Sequence, residues 1–242
     1  MKKRILVTGA AGYLGRGLVT VLADAYDLRL MDVVPFDGQG HQQLVGDVAD
    51  LPTVRAAVKG MDALVIAHMA SRQAGAYDTP VVSFDANVKG TANLFFAAME
   101  EGIRRVVLIS SSGVTYGHRD LAWFPHDSPP KGKDLYSLTK VCQEVVAEHY
   151  HREHGIAVAV LRIGALLYED TMTDKYGNRE DHAGDNYVDP RDVGEAVRLS
   201  LELPDLAFET MFVMGVPEAA KKYDTAYTQR RLGWTPKHRY GR

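Results

Sequence analysis

The sequence is poor in several features that would point to other kinds of protein. Its 242 residues hold a single cysteine, Cys142. One thiol excludes an internal disulfide framework and fits a reducing cytoplasm. With no partner motif around it, Cys142 is expected to be a buried packing residue. No run approaches the ~20 apolar residues of a membrane span. The basic start Lys2-Lys3-Arg4 leads into an apolar stretch that Thr8-Gly9 and Gly12 interrupt too early for a signal peptide. Neither sign of charge dominates, since 28 Lys and Arg face 31 Asp and Glu. That balance offers no global field to nucleic acid or an anionic membrane. There is no internal repeat and no low-complexity tract, and no metal site is expected. These absences lead to the expectation of a cytoplasmic protein that meets a small molecule rather than nucleic acid or membrane.

What is present is an ordinary globular composition, 46% hydrophobic and 24% charged, long enough for one sizeable core. The chain is organised around its start, Arg4-Ile5-Leu6-Val7-Thr8-Gly9-Ala10-Ala11-Gly12-Tyr13-Leu14-Gly15. A short apolar strand enters a turn with glycine at every third position, and an amphipathic helix leaves it. Gly9 suits the sharp turn, Gly12 lets backbone approach a pyrophosphate, and Gly15 lets helix and strand pack closely. The helix start, with Tyr13 and Leu14, offers unpaired N–H groups to phosphate. Asp32 ends the second strand 17 residues after Gly15, placed to accept hydrogen bonds from an adenosine ribose. A carboxylate there repels a 2′-phosphate, so Asp32 argues for NAD over NADP, an exclusion that Arg16 or Arg29 could soften.

Further along, strands alternate with helices. A third strand, Gln43–Gly46, ends at Asp47-Val48, where side chain and backbone meet an adenine edge or Asp47 caps the next helix. The continuous apolar run Ala63–Ala67 predicts a strand buried on both faces. It opens into His68-Met69-Ala70-Ser71 at the edge where ligands bind, which makes Ala67, His68 and Ala70 cofactor candidates. A histidine there more often serves structure than catalysis. One helix is expected over 81–101, with Asn87 unfavourable in its middle unless it has a local hydrogen-bonding job. A fifth strand, Arg105–Ile109, runs into Ser110-Ser111-Ser112, of which at least one hydroxyl is expected to be functional. A sixth, Ala157–Ile163, brings Ile163 to the same edge. Tyr168 to Tyr187 reads as a polar loop or flap, followed by a helix over 190–203, a last strand over 209–215 and a short terminal helix. The pattern predicts an α/β fold, a doubly wound parallel sheet ordered 3-2-1-4-5-6. Residues 1–163 form its dinucleotide-binding core, and 164–242 a small substrate-binding lobe packed on it.

The chemistry is carried by Tyr136 and Lys140, four apart on a helix that Asp134 should cap. A phenol is a poor base at neutral pH, but a nearby ammonium and an oxidised nicotinamide favour its phenolate. A serine, here Ser112, can hold the substrate oxygen while the phenolate removes its proton and hydride leaves the carbon. Ser110 and Ser111 then lie nearer the cofactor and the turn.

These motifs, with Asn87-Val88-Lys89-Gly90-Thr91, Asp192-Val193 and Leu232-Gly233-Trp234-Thr235-Pro236, make the sequence resemble the extended short-chain dehydrogenase/reductase family of NAD-dependent epimerases and dehydratases. The resemblance spans nearly the whole chain. It implies a Rossmann fold, a catalytic set of Ser112, Tyr136 and Lys140 with Asn87 as helper, and a Lys140 contact to the nicotinamide ribose. It also implies a homodimer formed through the helix carrying Tyr136 and its preceding neighbour. Members acting on nucleotide sugars carry a larger C-terminal domain, whereas only 80 residues follow Arg162 here. Uronate dehydrogenases are a similarly compact branch. They follow Arg-Ile-Gly with a serine and place a carboxylate-binding arginine where this chain has Asp174; Ala165 replaces the serine. Arg179 would substitute only with the flap folded inward. The expectation is an NAD-dependent oxidoreductase acting on a sugar, sugar acid or related compound. The alternatives are a nucleotide-sugar epimerase or dehydratase holding its NAD, and a dinucleotide sensor without turnover.

Overall fold

The computed structural model describes residues 2–70 and 79–240, so Ser71 lies outside the described residues. The chain runs through β1 (Arg4–Thr8), α1 (Tyr13–Leu22), β2 (Asp27–Asp32), β3 (Gln42–Val45), α2 (Leu51–Val58) and β4 (Ala63–Ile66). After β4 the sequence predicts one helix, but the structure divides it. α3 (Pro80–Ser83) passes into a π turn (Phe84–Lys89) and then α4 (Gly90–Glu100). The wider π turn brackets Asn87, whose buried amide is bonded on both sides and so favours the irregular winding.

β5 (Arg105–Ser111) is two residues longer than the apolar run, because Ser110 and Ser111 still pair with β6 (Ala157–Ile163). Between them lies α5 (Leu135–His154), which starts where a cap was expected. The Asp134 carboxylate accepts the Ser137 N–H at 2.8 Å, and the Ser137 hydroxyl accepts the Asp134 N–H at 2.9 Å. The stretch from Tyr168 to Tyr187 is mostly turn and loop, as expected, and a small three-stranded sheet pins it. That sheet consists of β7 (Ala165–Tyr168), β8 (Thr173–Asp174) and β9 (Tyr187–Val188), with β7 in the middle. α6 (Pro190–Glu202), β10 (Phe208–Val213) and α7 (Thr225–Leu232) complete the chain.

Seven parallel strands form the main sheet in the order β10-β6-β5-β4-β1-β2-β3. The predicted order is present, and β10 extends it beyond β6, with Phe208 opposite Val158 and Val213 opposite Ile163. Alternate residues of each strand feed two cores. Ile5 and Val7 face the layer of α1 and α6, while Leu6 faces that of α2, α4 and α5. Burying one such side chain contributes roughly 1.5–3 kcal/mol, which is why the central strands tolerate no polar alternation. Trp234 closes the first core from the far end of the chain. Cys142 is half-buried rather than buried, because its side of α5 is not covered by the sheet. Among the described residues no helix is long and apolar enough to cross a membrane. The chain winds one way from β1 to β3 and the other way from β4 onward, so a crevice opens where β1 and β4 end side by side.

Candidate active site

That crevice is a cavity of ≈ 850 Å³. Gly9, Gly12, Tyr13, Leu14, Gly15, Asp32, Asp47, Val48, Ala67, His68, Ala70, Ser110 and Ile163 line it, as do Ser112, Tyr136 and Lys140. Asn87 stands behind the wall. At one end the shape comes from backbone. Gly9 has φ +72°, and a Cβ there would lie 2.8 Å from the His68 backbone. The Asp32 carboxylate takes the Ala11 N–H at 2.9 Å and the Val34 N–H at 3.3 Å, which fixes it while leaving acceptor capacity on each oxygen. Arg29 is turned away, donating to Gln42 and to the carbonyls of Ala57 and Lys59, and neither it nor Arg16 reaches the cavity. Asp47 does not cap α2. Its carboxylate accepts the Ala49 N–H at 2.8 Å, and Asp50 makes the cap instead, through the Thr53 N–H at 3.0 Å.

His68 is buried and both ring nitrogens are engaged. Nε2 meets the Ala86 carbonyl at 3.0 Å, so it must donate, and Nδ1 accepts from the Thr8 hydroxyl at 2.9 Å. Burial, reinforced by the charge of Lys140, pushes its pKa down to about 3. This imidazole is neutral, and its one ring proton is held on the Ala86 carbonyl.

At the other end side chains do the shaping. Lys140 is 3% exposed and donates to the Ile109 carbonyl at 3.0 Å. Burial lowers its pKa to about 7; Lys175 adds to the effect and Glu144 opposes it. Asn87 accepts the Ala70 N–H at 2.7 Å and donates to Thr139 Oγ1 at 2.9 Å, and Thr139 in turn donates to the Tyr136 carbonyl at 2.8 Å. Asn87 thus ties the exit of β4 to the turn of α5 that carries Tyr136. Ser110 lines the cavity, but its hydroxyl donates to Glu144 at 2.6 Å, and Glu144 is paired with the buried Arg162 at 2.8 Å. Ser111 accepts the Gly113 N–H at 3.1 Å within the turn. All three serines line the cavity, and the Ser112 hydroxyl is the one that meets Tyr116.

The sequence reading missed three residues here. Tyr116 places its hydroxyl 3.2 Å from Ser112 Oγ. Asn186 and Lys175 enter from the ordered 168–187 stretch. Arg179 is exposed and does not line the cavity, so the cation this stretch brings to it is Lys175. Asp174 spends its carboxylate on the Tyr176 and Asn178 N–H groups, each at 2.8 Å. Tyr13 joins the two ends: its hydroxyl donates to the Thr173 carbonyl and accepts the Tyr168 N–H at 3.0 Å, and its ring meets that of Tyr168 edge-on.

A doubly wound parallel sheet, a glycine turn under the cavity and an acidic residue ending β2 define a dinucleotide-binding enzyme fold. The chain belongs to the NAD dependent epimerase/dehydratase family, which matches residues 5–173. Uronate dehydrogenase of Pseudomonas syringae pv. tomato is 31% identical over 69% of this chain and 60% of its own. L-arabinose 1-dehydrogenase (NAD(P)(+)) of Haloferax volcanii is 26% identical over 97% of this chain and 96% of its own. Among solved structures, a mutant uronate dehydrogenase from Agrobacterium tumefaciens complexed with NAD matches with a TM-score of 0.81 at 26% identity. That match covers 100% of this chain and 87% of the other. The chain is accordingly an NAD-dependent enzyme of the dehydrogenase and epimerase type.

Proposed function

We propose that the protein is an NAD-dependent dehydrogenase that oxidises an alcohol carbon of a sugar or sugar acid to a carbonyl. The observation that carries this reading is the meeting of Ser112, Tyr136 and Lys140 with the glycine turn and Asp32 around one cavity. The residues present fit a dinucleotide: glycine at the turn leaves no side chain to bar a pyrophosphate, and Asp32 has acceptor capacity for a ribose. NAD, when bound, supplies the hydride acceptor. Ser112 holds the substrate oxygen, and the Tyr136 phenolate takes the hydroxyl proton as the carbon gives up its hydride. Lys140 is anchored on Ile109 and stands one helical turn from Tyr136, where its protonated form, which burial restricts to pH near or below 7, favours the phenolate. Residues 164–242 supply the substrate side, through Lys175, Asn186 and Tyr187. The relatives named for uronates and L-arabinose support a sugar-like substrate.

The test is a panel of L-arabinose, glucose 6-phosphate, glucuronate and nucleotide sugars, each with NAD and with NADP. Net NADH formation with a free sugar or sugar acid is the expected result. Tightly held NAD with conversion of a nucleotide sugar and no net absorbance change would replace this reading with an epimerase.

A further inference from the structure

The hydroxyl of Tyr116 stands at the centre of a small polar network at the substrate end of the cavity. It lies 3.2 Å from Ser112 Oγ, 3.3 Å from Asn186 Nδ2 and 3.5 Å from the Tyr223 hydroxyl. The network has a direction. Asn186 Nδ2 can only donate. Tyr223 is 2% exposed, and a buried hydroxyl directs its proton to a partner; it is in hydrogen-bond contact with Ser112 as well as with Tyr116. Burial raises the Tyr223 pKa, so it stays a protonated donor. With the Tyr223 proton on Tyr116, Asn186 and Tyr223 fill its two acceptor sites and its own single proton goes to Ser112 Oγ. Ser112 is 2% exposed and sits in the turn after β5 with its hydroxyl at the cavity. With one acceptor site filled by Tyr116, its proton is free for the substrate.

We propose that Tyr116 is a positioning residue, and that Asn186 and Tyr223 set its hydroxyl so that the Ser112 proton is committed to the substrate oxygen. This rests on the reading of Ser112 as the group that holds that oxygen. The chain of donors has its origin in Asn186, whose carbonyl accepts the Ala165 N–H at 3.0 Å and so sits on the same small sheet as the flap. Ordering of the flap and orientation of the serine proton are thereby linked through one amide. A serine locked as donor favours a developing carbonyl oxygen or an alkoxide over a ligand that offers only N–H or O–H protons.

The test compares kcat and KM of Ser112→Ala, Tyr116→Phe, Asn186→Leu and Asn186→Asp with the sugar that the panel identifies. Tyr116→Phe should lower kcat about tenfold to hundredfold with a much smaller change in KM. Asn186→Leu removes one donor and should cost less than that. Asn186→Asp puts an acceptor where a donor stood, draws the Tyr116 proton away from Ser112, and should be at least about tenfold worse in kcat than the leucine variant. A merely structural role for Asn186 would reverse that order, since Asp is closer to Asn in shape. Equal losses in the two variants overturn the proposal while a dead Ser112→Ala leaves the reading of Ser112 standing. An unimpaired Ser112→Ala overturns both. Neutron diffraction from the deuterated protein provides a readout that needs no turnover: the Tyr116 deuteron should point at Ser112 Oγ, and a deuteron aimed at Asn186 overturns the proposal.

Discussion

The end of the cavity at Gly9 and Asp32 is shaped by backbone, and the end at Ser112 and Tyr116 by side chains. At the first, strands stop, the chain turns, and peptide N–H groups and a missing Cβ define the space; the Asp32 carboxylate is clamped by two neighbouring N–H groups. At the second, Lys140, Asn87, Ser110 and Tyr116 each depend on a partner from another element: a strand carbonyl, an N–H after β4, a helix glutamate and a flap amide. A backbone site is specified wherever the strand order is specified. A side-chain site exists only if several long-range contacts form at once. The first can bind one cofactor across many relatives, and the second can change its substrate by changing a few side chains.

The contrast can be broken by experiment. The largest effect should come from Tyr136→Phe, which removes the hydroxyl proposed to take the substrate proton and keeps the ring. Hydride transfer in single-turnover absorbance measurements should fall about 10²–10⁴-fold with the melting temperature nearly unchanged. Gly9→Ala should act in the opposite sense. Left-handed strain costs about 1–3 kcal/mol, and the approach to His68 adds to it. Thermal melts should drop by several degrees, and a variant with full stability but lost turnover would put Gly9 on the side-chain side of the comparison. His68 supplies a third test. Its pKa is about 3 in the folded chain against an ordinary 6.5, so the unfolded chain takes up a proton first as acid is added. Stability present above pH 6.5 is therefore lost as the pH falls toward 3, by at most about 1.4 kcal/mol per pH unit for this one group. Denaturant titrations at stepped pH should show a shallower slope in His68→Gln. The smallest effect belongs to Tyr13→Phe, which cuts the tie between the two ends. Loss of its bonds to Thr173 and Tyr168 should raise substrate KM by less than about tenfold while NAD affinity holds. An equal loss in NAD binding would mean that the two ends are not separable.

The same division explains what could be read from the sequence. The glycine spacing, Asp32, the apolar strands and the Tyr136–Lys140 pair are local patterns whose period or position carries its own physical meaning. Strand order followed from the alternation of strands and helices. The π turn around Asn87 did not, because its cause is an Ala70 N–H and a Thr139 hydroxyl far away in sequence. Ser112 was preferred over Ser110 for the substrate oxygen, but the partner that engages Ser110, Glu144 of α5, was not legible. Tyr116 carried a faint signal, four residues after Ser112 with a turn between. Asn186 and Lys175 carried none, since a polar stretch has no periodicity to say which side chains fold inward. Asp47 was the cap weighed for α2, and only the start of that helix at Leu51 gives the role to Asp50.

The position of α6 against α1 bears on how the protein is made. A Cβ on Gly17 would come within 2.4 Å of the Pro190 side chain, and Trp234 shares a core with Ile5. The apolar face of α1, with Leu14, Leu18 and Leu22, is synthesised well before α6, which covers part of it. At ~5–20 residues per second the interval is roughly 10–40 s, during which α1 can pack on β1 and β2 but lacks its α6 partner. Translation speed and chaperone occupancy over that interval, rather than the stability of the finished sheet, should set the yield of folded protein.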